Sequence, residues 1–220
     1  MYQKIIDEVK QYSEQKFAQW LKPLLSISET SDEIVIGVRV PILRKIAKTY
    51  KDIDYKTLQN LLNSNIHEIK ELAIFIMLLK NKTESKKICK LYLNNLDKIN
   101  NWDLIDYSAP HIIAPNLTPD EIRDLANSNY LWANRVAMVS CIYFIKQNNF
   151  NLTLELAEKF IKHPHHLMHK ASGWMLREIG KKDVNTLLNF LNTHEKNMPT
   201  IMKSYAKEKL NWNLKLFLIS

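Results

Sequence analysis

The chain has 220 residues, with 31 Lys and Arg against 23 Asp and Glu, a formal charge of +8. That length allows one or two domains with a sizeable core, while only 3 Gly and 7 Pro exclude a glycine-loop nucleotide site and argue against a sandwich or barrel. The positive balance suits a polyanion, most simply nucleic acid, although the Lys, Ile and Asn abundance of an AT-rich genome would produce the same excess.

Residues 2–21 place Tyr2, Ile5, Ile6, Val9, Tyr12, Phe17, Trp20 and Leu21 at helical spacing, with Pro23 after the end. The same stretch is amphipathic and charged, unlike a signal peptide. Residues 26–38 read as a connector; the short run Ile34-Val35-Ile36 has no evident strand partner and is taken as loop. Pro41 then opens a helix at its first position, and Arg44, Lys45 and Lys48 give that helix a basic face. Such a face is either solvated or in contact with phosphates.

Asp54 caps a helix through Asn63. Residues 66–80 carry Ile66, Ile69, Leu72, Ala73, Ile76, Met77 and Leu79, so this helix should be largely buried. A further helix spans 84–96. Cys89 and Cys141 both sit in apolar helical patterns and read as buried, reduced thiols.

Asn100 or Asn101 caps the next helix, which starts Trp102-Asp103-Leu104-Ile105-Asp106. Trp102 and Asp106 are four apart and project from one face. Asp103 is an acid in the first turn, where it offsets the helix dipole. Asp106 lies beyond that turn. Pro110 has no N–H to offer the Asp106 carbonyl, so the helix should kink or end nearby. From spacing alone, a core Trp beside a solvated Asp remains open.

Thr118-Pro119-Asp120-Glu121 is a capping box with Pro at the first helical position. Residues 131–147 are long and apolar and carry Trp132 and Arg135. Helices over 153–162, 167–179, 184–193 and 200–210 complete the series. Lys170, Trp174 and Arg177 fall at i, i+4 and i+7, a cation–aromatic–cation face that suits stacking with a nucleotide between phosphate contacts. A core Trp flanked by two snorkelling bases gives the same spacing. His163, His165, His166 and His169 cluster around Pro164 without an acidic or thiol ligand at metal spacing, so they read as turn and helix-start residues and no metal site is expected. No apolar run approaches the roughly 18 residues of a membrane span, and a cytoplasmic location is expected.

Short helices joined by short polar turns suggest stacked antiparallel pairs. The expected fold is all-α: an α-solenoid of HEAT-like helix pairs, each roughly 40 residues long, forming a single domain over residues 1–220 with a concave basic face. Arg44, Lys48, Arg135, Lys170 and Arg177 are expected to line that face.

Four segments in order, GVRVPILRKIAK, NNWDLIDYSAP, LWANRVAM and HKASGWMLREIGK, resemble the AlkD-type DNA alkylation repair glycosylases. The likeness runs from about Gly37 to the helix containing Lys203 and Tyr205. It implies a HEAT-like scaffold that cradles duplex DNA and excises cationic alkylated purines such as 7-methylguanine and 3-methyladenine, as a monomer and with no cofactor. By the same resemblance Trp102 matches the lesion-side Trp, Asp106 the catalytic Asp, Arg135 the Arg that supports DNA near the lesion, and Trp174 the second aromatic of the site. This sequence has Asn101 where some members have another Trp, and Asn134 where many have Arg or Gln. A non-catalytic helical module that binds damaged or branched DNA is the alternative.

Overall fold

The computed structural model describes residues 1–25, 27 and 31–210, and it is all-α. Among those residues the extended pairing is one isolated parallel bridge between Ile34 and Ile66. The chain divides into two compact units, Met1–Ser108 and Ala109–Ser220.

The first unit holds α1 (Tyr2–Lys10), α2 (Gln15–Leu21), a 3₁₀ turn (Lys22–Leu24), α3 (Val40–Thr49), α4 (Tyr55–Leu62), α5 (His67–Asn94) and the start of α6 (Trp102–Ile112). The single helix expected over 2–21 is broken. Ser13 donates its hydroxyl to the Lys10 carbonyl at 2.7 Å, and the Glu14 N–H leaves the helix register for the Ile36 carbonyl at 3.2 Å. A side-chain and a long-range acceptor together replace the helical bonds there. Gly37 makes this crossing feasible. Its φ is +79°, and a Cβ there would lie 2.2 Å from the Glu14 carbonyl oxygen, so only glycine fits.

The Ile34–Ile36 run is loop, as expected, apart from its one bridge; Ser26 and residues 28–30 of that connector lie outside the described residues. Pro41 is the second residue of α3, not the first. Asp54 caps α4, accepting the Thr57 N–H at 2.7 Å.

The two helices expected over 66–80 and 84–96 are one, α5, kinked where Glu84 leaves helical geometry (φ −129°, ψ 37°). Glu84 there accepts the Tyr55 hydroxyl at 2.7 Å. Both α3 and α4 pack on α5, whose Ile69, Leu72, Ala73, Ile76 and Met77 are fully buried. Each of the Ile, Leu and Met side chains contributes on the order of 2 kcal/mol relative to exposure. The first turns of α5 are buried all round, because His67, Glu68, Lys70 and Glu71 are buried as well.

The second unit holds α7 (Pro119–Ala126), α8 (Leu131–Lys146), α9 (Asn151–Phe160), α10 (His166–Lys182), α11 (Val184–His194) and α12 (Thr200–Lys207). The Thr118–Glu121 capping box forms: Thr118 N–H reaches Glu121 at 2.7 Å, and Glu121 N–H reaches Thr118 Oγ1 at 3.3 Å. Helix α10 is the spine, with α8, α9, α11 and α12 packed on it. Gly173 lets α12 approach, since a Cβ there would meet the Met202 carbonyl oxygen at 2.5 Å. Cys89 and Cys141 are buried and not joined in a disulfide, and burial pushes the Cys141 thiol up to about 12. No helix among the described residues is long and apolar enough to cross a membrane.

Candidate functional site

Helix α6 carries the candidate site of the first unit. Its entry is held by side chains of its own sequence: the Asn101 carboxamide oxygen accepts the Trp102 N–H at 2.8 Å, and Asp103 Oδ1 accepts the Leu104 N–H at 2.9 Å. Trp102 and Asp106 lie one turn apart and both are half-buried. The Trp102 indole N–H donates to the Leu24 carbonyl at 3.1 Å, which fixes the ring by its edge. The helix runs two residues past Pro110 and ends at Ile112.

Asp103 corrects the sequence reading. It is more than a dipole partner: it is 8% exposed, and its Oδ2 is 2.7 Å from His67 Nε2. His67 Nδ1 in turn lies 2.7 Å from Glu33 Oε1. Lys70 Nζ donates to Glu33 Oε2 at 2.5 Å and to Asn100 Oδ1 at 3.2 Å, and Asn100 donates to Glu33 at 3.2 Å. Burial alone would lower the His67 pKa, but the carboxylates of Asp103 and Glu33 outweigh it and lift the imidazole to about 10. Burial likewise pushes Glu33 up, yet hydrogen bonds from His67 and Lys70 hold it at about 2. Both imidazole nitrogens therefore donate, each to a carboxylate.

Glu71 lies next to this group and is 4% exposed. Burial, reinforced by the Asp103 charge, pushes its carboxyl up to about 8. Its neighbour Glu68 accepts the Gly37 N–H at 2.6 Å and the Ile36 N–H at 3.1 Å.

On α3, Arg44 and Lys48 are exposed. The Arg44 guanidinium lies over two rings, 4.9 Å from the Phe75 centroid and 5.1 Å from that of Tyr107. Those rings meet edge to face at 5.7 Å. Stacking holds the cation beside α6 without using its N–H donors.

In the second unit the expected Lys170–Trp174–Arg177 face exists on α10, but its charges are not equivalent. All three side chains are half-buried. The Trp174 indole N–H donates to Glu178 at 3.1 Å. Arg177 is ion-paired with Glu208 and lies 3.5 Å from Glu178, so much of its charge is already answered inside the protein. Lys170 forms no ion pair among the described residues.

Arg135 departs furthest from expectation. It is 4% exposed and donates to the Leu167 carbonyl at 2.9 Å. In this arrangement it ties α8 to the first turn of α10 and is buried rather than offered to solvent. The neighbouring Asn134 is also structural. Its amide donates to the carbonyls of Leu125, Ala126 and Ser128 at 3.1, 3.2 and 2.9 Å. The histidines act as turn residues: His165 Nδ1 accepts the Leu167 N–H at 3.2 Å and caps α10. Among the described residues no group of three or more His, Cys, Asp or Glu is arranged to hold a metal.

The sequence reading missed Glu33, His67, Lys70 and Glu71. The available signal was His67-Glu68-Ile69-Lys70-Glu71, a dense charged run opening a helix whose apolar pattern already required burial.

Residues 3–210 match the family of DNA alkylation repair enzymes. Among solved structures, a predicted DNA alkylation repair enzyme from Enterococcus faecalis superposes with a TM-score of 0.68 at 14% identity, covering 89% of this chain and 95% of that one. That likeness shows a shared fold. No curated protein matches the chain.

Proposed function

The chain belongs to the family of DNA alkylation repair enzymes, and we propose that it is a DNA N-glycosylase releasing cationic alkylated purines, of the 7-methylguanine and 3-methyladenine class, from duplex DNA. The observation that carries this reading is the contrast along α6. Asp103 is buried and held by a protonated histidine, whereas Trp102 and Asp106 stand half-buried together one turn apart.

The residue types suit the chemistry. Alkylation at N7 or N3 makes the purine a cationic leaving group, so the C1′–N bond can break without a strong general acid. The bonding electrons leave with the base, which becomes neutral, and positive charge develops on the sugar as in other glycoside hydrolyses. Asp106 stabilises that oxocarbenium-like sugar and orients the water that adds to C1′. A proton is then lost to solvent and an abasic sugar remains. The Trp102 face attracts the cationic nucleotide. Arg44 and Lys48 bind phosphate from α3, and Lys170 does so from α10. Trp174 offers its ring to the DNA from α10, and Arg177 contacts DNA once Glu208 is displaced. Arg135 contributes through the α8–α10 packing it maintains.

The test is incubation with a duplex containing one 7-methylguanine, followed by detection of free base. Wild type should release it, and Asp106→Asn should be slower by about a hundredfold or more, a loss of ~2.7 kcal/mol, with undamaged duplex still bound. Equal rates for the two proteins would refute the role of Asp106. Binding without release of any cationic lesion would make the chain a damage-binding module.

A further inference from the structure

Buried charge is costly, and well-packed apolar residues often stabilise a fold as well as a buried ion pair does. Yet five polar side chains from three separate segments meet at the entry of α6. Glu33 comes from the connector before α3, His67 and Lys70 from the first turn of α5, and Asn100 and Asp103 from the approach to α6. Two carboxylates face two cations, so the group is internally neutral. What hydrogen-bonded ions add over apolar packing is direction. An imidazolium between two carboxylates at 2.7 Å each admits one ring plane and one Asp103 rotamer.

Asp103 adjoins Trp102 and lies three residues before Asp106. Fixing Asp103 therefore fixes the rotation of α6 about its own axis. Side-chain heads stand roughly 5–6 Å from a helix axis, so a rotation of about 10° carries the Asp106 carboxylate about 1 Å. A misplacement of that size costs on the order of a hundredfold in rate. We propose that His67 is a positioning residue, whose imidazolium, held between Glu33 and Asp103, sets the rotation of α6 and so aims Asp106 and Trp102 at the reacting sugar and base. The kinetic part of this inference rests on the glycosylase reading.

The experiment compares wild type, His67→Gln and the double variant His67→Gln/Asp103→Asn. It measures single-turnover release of 7-methylguanine, affinity for undamaged duplex, and the ¹⁹F resonance of fluorinated Trp102, assigned by its loss in Trp102→Phe. Gln can donate to only one of the two carboxylates and sets its own carbonyl against the other. His67→Gln should therefore slow release about 10- to 100-fold, change duplex affinity less than about twofold, and shift the Trp102 resonance. In the double variant Asn supplies the N–H that the Gln carbonyl needs, and rate and resonance should return part of the way. Should His67→Gln fail to fold, Glu33→Gln takes its place. It keeps the His67–Asp103 contact and should produce a smaller loss of rate with a smaller resonance shift in the same direction.

A folded variant with wild-type rate and resonance overturns the inference and leaves the glycosylase reading intact. So does a slow variant whose Trp102 resonance does not move and whose double variant is no faster, because the network would then serve stability alone. If wild type releases nothing, the glycosylase reading fails, and the Trp102 resonance alone decides whether His67 orients α6.

Discussion

Glu71→Gln should make this protein more stable at neutral pH. Glu71 is 4% exposed in the first turns of α5. Its surroundings carry both signs: Asp103 and Glu68 oppose its ionisation, His67 and Arg44 favour it, and burial dominates, pushing the carboxyl from 4.5 up to about 8. Its folded pKa is thus raised, unlike that of most paired carboxylates. In the unfolded chain Glu71 ionises above pH 4.5, while in the folded protein it keeps its proton until about pH 8. The folded state therefore loses stability as pH rises between those values, at ~1.4 kcal/mol per unit for one proton. At pH 7 roughly 2.5 units of that interval have been crossed, a cost on the order of 3 kcal/mol. Gln has the shape of the protonated acid and carries no such cost. Urea unfolding of both proteins from pH 4.5 to 8.5 should show near-equal midpoints at the acid end and a gap that widens towards pH 8, with unchanged m-values. A gap that is absent at pH 7, or that does not grow with pH, would refute the claim that Glu71 is a desolvated acid held neutral.

Two further outcomes follow from neighbouring geometry. His67 has its folded pKa raised to about 10, so its contribution is complete below pH 6.5 and is lost as pH climbs through 10; His67→Gln should flatten the alkaline arm of the stability curve, which urea melts at pH 7, 8.5 and 10 would show. Gly173→Ala sets a Cβ 2.5 Å from the Met202 carbonyl oxygen and 2.6 Å from Tyr205 Cβ; α10 and α12 must separate, at a cost of about 1–3 kcal/mol read as a lowered melting temperature.

What the sequence disclosed was local, and what it hid was not. The Thr118 box, the Asp54 cap and the pairing of Trp102 with Asp106 depend on residues within four positions, and each was readable from spacing. The break at residues 11–14 was not readable, because the Glu14 N–H is taken by Ile36, twenty-two positions on. The kink at Glu84 accompanies a bond to Tyr55 on another helix. Glu33 and His67 are 34 positions apart, and no periodicity links them. Arg135 shows the same limit. Its position one helical turn from the start of α8 looked like a surface placement, but its partner is the Leu167 carbonyl, 32 residues later, and that contact buries it. Side-chain type announced the chemistry each residue could do; only the packing decided which of them the fold buries, as it does Asp103 and Arg135.

The same packing explains how one short helix uses two aspartates differently. Asp103 and Asp106 are three residues apart, near a surface that on the proposed reading receives a polyanion. Two uncompensated carboxylates there would repel phosphates and each other. His67 cancels the first: its imidazolium is 2.7 Å from Asp103 and is held protonated to about pH 10. Asp103 thereby becomes part of the scaffold, its charge answered inside the protein. Arg44, stacked on Tyr107 one residue beyond Asp106, places an exposed cation beside α6. On the proposed reading Asp106 then works against a background made locally less negative, where an anionic group suited to a cationic sugar can coexist with bound phosphate. Replacing Asp103 by Asn removes one of the two anions that hold a buried cation, so its effect belongs with those of core residues.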